Sequence, residues 1–394
     1  MLDYGIVDLD NHFYEPRDSF TKYMDAASLD RAVRPVILDD GREVIMAADR
    51  EVTFIEARIY DKPGIPGSLR EMLRKMKKSD FSEDVKVWSE MKPEYRDRDA
   101  RLSMMDTQGV EACTLFPSVA IIAEHFFDDP DDLYLNFHSF NRYLCEEWGV
   151  AYKDRIHGVP VVSLRDLDRA VTELDWLLDQ GAKVVGMRPG PAYGRAPSDL
   201  YFDPFWARLN EAGASVVFHM TESSYNAQVS VLWGQEANPS DYGMSAWQWA
   251  NTYGDRPIMD TLSALIYDNL FGRFPNLRVV SVENGCEWAP YLIRRLDKMR
   301  GLGRNGPWIG GPLTERPSEI FRRHVLVTPF PEDDVAPFIE LVGVQSLVLG
   351  SDWPHPEGLA APADYVDVLR DLSESDQRKV MRENGLRVLQ GASS

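Results

Sequence analysis

Four side chains able to bind a metal ion fall within eight residues near the N-terminus: Asp8, Asp10, His12 and Glu15, in the stretch VDLDNHFYEP (7–16). The stretch opens as an apolar strand and closes as carboxylates around one imidazole. Crowded carboxylates repel one another, so they must be paired, protonated or bound to a cation. Groups of the same kind recur far along the chain, each at the end of a short β-branched run: His219 closing SVVFH, Glu283 in VVSVENG, and Asp352 with His355 in LVLGSDWPHPEG. Mixed carboxylate and imidazole donors suit iron or manganese better than a lone zinc.

Each residue also has a plainer role open to it. His12 or His219 could be a core histidine bonded to a backbone carbonyl. Asp352 could cap a helix; as a functional group it could bind metal, take a proton from metal-bound water, or both. Glu283 at the mouth of its strand would need a cationic partner if structural, and Arg188 in VVGMRPG could supply one. Six candidate metal ligands result: Asp10, His12, Glu15, His219, Glu283 and Asp352, with Asp352 and Glu283 also the candidate catalytic groups. His355 and Glu357, just past Asp352, are read as supporting the ligands from behind. His125, His138, His157 and His324 are read as structural.

Eight β-branched runs alternate with helical patterns: 4–10, 110–118, 156–164, 182–190, 214–220, 276–285, 325–330 and 346–355. Strict alternation of buried strands with helices predicts a parallel sheet, and eight units close most naturally into an α/β barrel, the (β/α)8 TIM barrel. The candidate ligands then all stand at the C-terminal strand ends, where such barrels carry their sites. Two insertions interrupt the pattern. Residues 17–95 hold a hairpin-like VRPVILDDGREVIMAADREVTFI and then the basic SLREMLRKMKKSDF. Residues 221–258 come directly after His219 and carry Trp233, Trp247 and Trp249, which predict an aromatic wall for the substrate. No linker or repeat divides the chain, so residues 1–394 are expected to form one metal-dependent barrel domain.

The net charge of −20 argues against nucleic acid and anionic membranes as partners. Cys113, Cys145 and Cys286 lack CxxC spacing, which excludes a disulfide framework and a thiolate zinc site. No basic-then-apolar leader and no apolar run of membrane-spanning length is present, and the expected location is cytoplasmic.

The acid-x-His near the N-terminus, the block RDARLSMMDTQGVEACTLFPS, and VVGMRPG, VVFH, GRFPNLRVVSVENGCEWAPYLIRRLD and LVLGSDWPHPEG together resemble the amidohydrolase superfamily. Within it they resemble the branch of metal-dependent decarboxylases and hydrolases of aromatic acids. The likeness runs from about residue 5 to 390 and is weak in the insertions. Three departures stand out. The branch usually opens with His-x-His or Glu-x-His, and here Asp10-Asn11-His12 stands there. It usually carries a histidine at the end of the sixth strand, where this chain has Glu283. No lysine stands at a strand end to be carboxylated, since Lys183 begins its strand.

Asp10, Glu15, Glu283 and Asp352 against two imidazoles exceed the charge of one divalent ion, which two irons would balance. This pattern resembles the subgroup of the TIM-barrel nonheme diiron monooxygenase of platensimycin and platencin biosynthesis. That resemblance implies dioxygen activation and hydroxylation of a bulky small-molecule substrate, often CoA-linked, whose handle would meet the basic run Arg294, Arg295, Lys298, Arg300 and Arg304. Arg188 joins the three tryptophans as a candidate substrate contact. The alternative is a hydrolase or decarboxylase with a single zinc or manganese, Asp352 acting as general base. Assembly as a homo-oligomer is left open.

Overall fold

The computed structural model describes residues 2–69, 88–240 and 243–391. Seven parallel strands carry the fold: β1 (Ile6–Phe13), β5 (Val110–Pro117), β6 (Ile156–Gly158), β7 (Val184–Met187), β8 (Ser215–His219), β9 (Arg278–Val282) and β10 (Val325–Val327). They pair in the orders β1-β5-β6 and β7-β8-β9-β10. The bridge Val161–Gly186 joins the two groups on one side. On the other side, residues 347–353 run between β10 and β1. They touch β10 through the Val327–Leu347 bridge and β1 through Asn11–Trp353, and the Leu9 N–H donates to the Leu349 carbonyl. The ring of eight is thereby closed, as the alternation predicts. The expected eighth strand is present as this bridging segment rather than a regular ladder, the Leu349 N–H donating to the Val380 carbonyl instead of to a neighbouring strand.

Strand periodicity divides the core in two. Val7, Leu9, Ala112, Phe116, Val159, Val184, Val217, Val280, Leu326 and Val348 pack inside the barrel. Their neighbours along the same strands, among them Ile6, Cys113, Leu115, Val216, Phe218, Val279 and Val327, pack outward against the helices. Those helices start and stop where their ends predict. Asp97 caps the helix Arg98–Gln108 by accepting from the Ala100 N–H, and Gly109 ends it in the left-handed region.

The first insertion forms an antiparallel sheet of β2 (Val33–Ile37), β3 (Glu43–Ala47) and β4 (Arg50–Glu51), its first turn at Asp39-Asp40-Gly41. Apart from Ser68 and Leu69, the basic stretch SLREMLRKMKKSDF lies outside the described residues. The second insertion folds as short helices on a buried polar network, in which Asn226 receives hydrogen bonds from Ser230, Gln248 and Thr252. Among the described residues no helix is long and apolar enough to cross a membrane.

Candidate metal centre

Strand irregularities aim the side chains. In β1, Asp8 stands opposite Cys113 and Asn11 opposite Leu115, so one extra residue is inserted between them. Val7 and Leu9 face the barrel interior below this bulge, and the shift of one turns Asp10 and His12 inward above it. On β8, His219 keeps the inward phase of Val217. Glu283 and Asp352 leave their strands with φ of 56° and 53°, the left-handed region that non-glycine residues avoid. That conformation re-aims both carboxyls toward the axis. Gly350 keeps the space clear, since a Cβ there would come within 2.7 Å of the Thr328 side chain and 3.0 Å of the Asp10 Cβ.

Asp10, His12, His219 and Glu283 each offer a donor atom, all within 4.8 Å of one another. His12 Nε2 is 3.1 Å from His219 Nε2 and 3.2 Å from Asp10 Oδ1. His219 Nε2 is 3.4 Å from Asp10 Oδ1 and 3.3 Å from Glu283 Oε2. Asp352 adjoins this group, its Oδ1 3.4 Å from His12 Nε2. These are the separations of neighbouring ligands around an ion bonded at about 2.1 Å. His219 Nδ1 lies 2.6 Å from the Met220 carbonyl and must carry the ring proton, which leaves Nε2 as a bare lone pair facing His12. Asp352 Oδ2 is buried without a hydrogen-bond partner. An orphaned carboxylate oxygen beside two converging imidazoles fits a cation in their midst.

Burial opposes ionisation of Asp10, but its hydrogen bonds with His12 and His219 outweigh that and hold the carboxyl at about 2. Asp352 goes the other way: burial, then the charges of Glu357 and Asp10, raise it well above the usual carboxylate range. Burial also holds His12 well below the ordinary imidazole value. His355 links Asp352 to the wall, with Nδ1 2.9 Å from Asp352 Oδ1 and Nε2 2.8 Å from the Ser118 hydroxyl.

Not every expected residue joins the cluster. Glu15 is buried beside it, but its carboxylate accepts from the backbone N–H groups of Ser118, Val119 and Ala120 at 2.8–3.0 Å. It caps the short helix after β5. Arg188 does not reach Glu283. Its guanidinium donates to the Ser223 carbonyl and the Ser224 hydroxyl, 3.6 Å from Glu124. The cavity over the cluster, about 210 Å³, is lined by Tyr253 and Trp88 rather than by Trp233, Trp247 or Trp249. Trp233 pairs with Trp247, and Trp233 and Trp249 are exposed. The basic run also lies elsewhere. It occupies the far turns of the 15-residue helix Trp288–Leu302 and the loop just beyond, and none of its five cations lines the cavity.

Two further side chains support the site: Asp8, which stands in the opening cluster but outside the six candidate ligands, and Arg101, which the sequence did not single out. Asp8, fully buried, accepts from the Ser351 hydroxyl and N–H, the Asn11 amide and the Asp10 N–H, and so joins the two ligand-bearing segments. Burial raises its carboxyl to about 7. Arg101, also fully buried, donates to Asn11 Oδ1, to the His12 carbonyl at 2.6 Å and to the Glu94 carbonyl at 2.7 Å. Its position among Leu102 and Met105 on the buried stripe of its helix is the signal that marks it.

The family model described as amidohydrolase matches residues 7–391. The chain belongs to the amidohydrolase family. A solved amidohydrolase from Mycobacterium avium subsp. paratuberculosis K-10 is 36% identical with a TM-score of 0.87, over 99% of this chain and 98% of that one. A dihydroxybenzoic acid decarboxylase from Polaromonas sp. JS666, solved with bound manganese and the inhibitor 2-nitroresorcinol, shares the fold at 16% identity and a TM-score of 0.62, over 98% and 97% of the two chains. Among curated proteins, 2-amino-3-carboxymuconate-6-semialdehyde decarboxylase of Dictyostelium discoideum is 22% identical over 229 residues, or 58% of this amidohydrolase. The match spans 57% of that relative's length.

Proposed function

We propose that this amidohydrolase is a decarboxylase of small unsaturated or aromatic carboxylic acids that uses one divalent ion, manganese or zinc. The observation that carries the reading is the convergence of Asp10, His12, His219 and Glu283 on one point at the barrel mouth, with Asp352 beside it. Asp10 and Glu283 carry the two negative charges that balance a single divalent ion, while burial and the charges of Glu357 and Asp10 push Asp352 toward its protonated form. Relatives that are decarboxylases, one of them solved with manganese, support the same choice.

When bound, the ion supplies the positive charge that holds the substrate carboxylate. Asp10, His12, His219 and Glu283 hold that charge in place, and His219 does so with its tautomer fixed by Met220. Asp352 hands its proton to the carbon bearing the carboxylate. The bond to the carboxylate then breaks, its electron pair returns to the substrate, and carbon dioxide leaves. His355, held by Ser118, keeps the Asp352 carboxyl on the reacting side. Apolar Phe54, Ile59, Ile121 and Met220 exclude water from the neighbouring space.

The diiron monooxygenase reading finds no support in these relatives. Glu15, one of the carboxylates its charge balance counted, is spent on three backbone N–H groups. What favours a second ion is narrower: Glu283, Asp352 and Glu357 also lie within reach of one another. The CoA handle loses its expected contact, because the basic run stands off the cavity. The experiment that tests the proposal incubates manganese-loaded protein, without reductant, with a panel of hydroxybenzoic and unsaturated dicarboxylic acids. Carbon dioxide release that stops on chelation and returns with manganese is the expected result. Turnover only with dioxygen and a reductant would overturn the proposal.

A further inference from the structure

The cavity over the cluster has a second end. Its outer wall comes from residues 53–64 of the first insertion together with Trp88, and that wall brings two cations, Arg58 and Lys62. The wall is tied down on three sides. Gly64 bridges to Trp88, the Ser89 N–H donates to the Pro63 carbonyl at 2.9 Å, and the Leu69 N–H donates to the Pro356 carbonyl at 2.9 Å. Gly64 packs on Pro356 so closely that a Cβ would come within 2.7 Å of its ring. Thr53 donates to the Asn238 carbonyl at 3.1 Å, and Phe54 lies 5.8 Å from the Tyr253 ring, joining the wall to the second insertion. The outer cations are therefore carried by a backbone fixed to the loop that bears Asp352.

The two cations differ in what answers their charge. Arg58 has Glu56 3.0 Å from its Nε, and its guanidinium lies 4.0 Å over the Trp88 ring. Lys62 makes no ion pair among the described residues: the adjacent carboxylate, Asp61, feels its charge but is bonded by Arg17, and the same cavity holds Glu283 and Glu357. Much of the remaining lining is apolar, with Phe54, Ile55, Ile59, Ile121, Ile122 and Met220. A buried site for a carboxylate, apolar walls and an exposed ammonium free of ion pairing suit a ligand charged at both ends.

We infer that the substrate is a dianion: an unsaturated carboxylic acid whose second carboxylate, at the end remote from the metal centre, is received by Lys62. The inference rests on the decarboxylase reading and narrows its substrate class. The test measures, by calorimetry at low salt, the affinity of the manganese-loaded full chain for biphenyl-4,4′-dicarboxylate and biphenyl-4-carboxylate. The expected result is an advantage of about fivefold for the dicarboxylate, the upper range of a solvent-accessible ion pair. That ratio should fall to one in Lys62→Ala and below one in Lys62→Glu. Equal affinities in the parent, or an advantage that survives Lys62→Ala, overturn the inference. Binding of both probes no tighter with manganese than without it overturns the reading beneath it, and the inference with it. The two failures are distinguishable because one appears in the ratio of probes and the other in the dependence on metal.

Discussion

Asp352→Asn should fold and lose turnover by roughly 10²–10⁴-fold, the range for removing a positioned proton donor. The substitution keeps size and shape. Asparagine accepts the left-handed backbone that position 352 requires (φ 53°) at least as readily as aspartate does. The Asp352 N–H bond to the Asp10 carbonyl, 2.8 Å, belongs to the backbone and survives. What disappears is the carboxyl proton whose retention burial favours. The check is the rate of carbon dioxide release beside a thermal melt of both proteins. A rate within tenfold of the parent at equal folded fraction would mean that another group carries the proton.

Arg101→Met should cost about 3–5 kcal/mol of stability, because it strips the donor from partners that stay buried. Asn11 Oδ1, the His12 carbonyl and the half-buried Glu94 carbonyl would all lose their donor, and the first two, buried in β1, cannot turn to water. The damage falls on the backbone of His12 itself, so metal affinity should fall with stability. Lysine at 101 would restore charge but not the planar fork that reaches separate acceptors, and should recover only part of the loss. Denaturant melts of parent, Arg101→Met and Arg101→Lys measure this. A loss below 1 kcal/mol in the methionine variant would show that the buried guanidinium is dispensable to β1.

The barrel was legible because its signal is repeated: eight apolar runs, each paired with a helical pattern, leave little freedom of architecture. His219 could be placed at a strand end by alternation alone, since Val217 and His219 share a face. Glu15 could not be separated from Asp10 and His12 by sequence. Its partners are three N–H groups about a hundred residues away, on the turn after β5, and nothing local announces them. The tryptophans misled for a related reason. A loop after a ligand-bearing strand usually lines the site, but here the insertion folds on its own network around Asn226, leaving Trp233 and Trp249 exposed. The wall went instead to residues 53–64 and Trp88, whose approach depends on contacts with Pro356 at the other end of the chain. Arg188 fits the same pattern: a strand-end cation, correctly positioned along its strand, whose partner Glu124 lies on a different loop from the one expected.

The most direct test of the account counts metal. Protein purified without chelator, reloaded anaerobically and analysed by plasma mass spectrometry should hold one divalent ion per chain, with His219→Ala losing it while the fold persists. Two irons per chain in the parent, with the visible absorption of an oxygen-bridged pair, would contradict a single-ion decarboxylase.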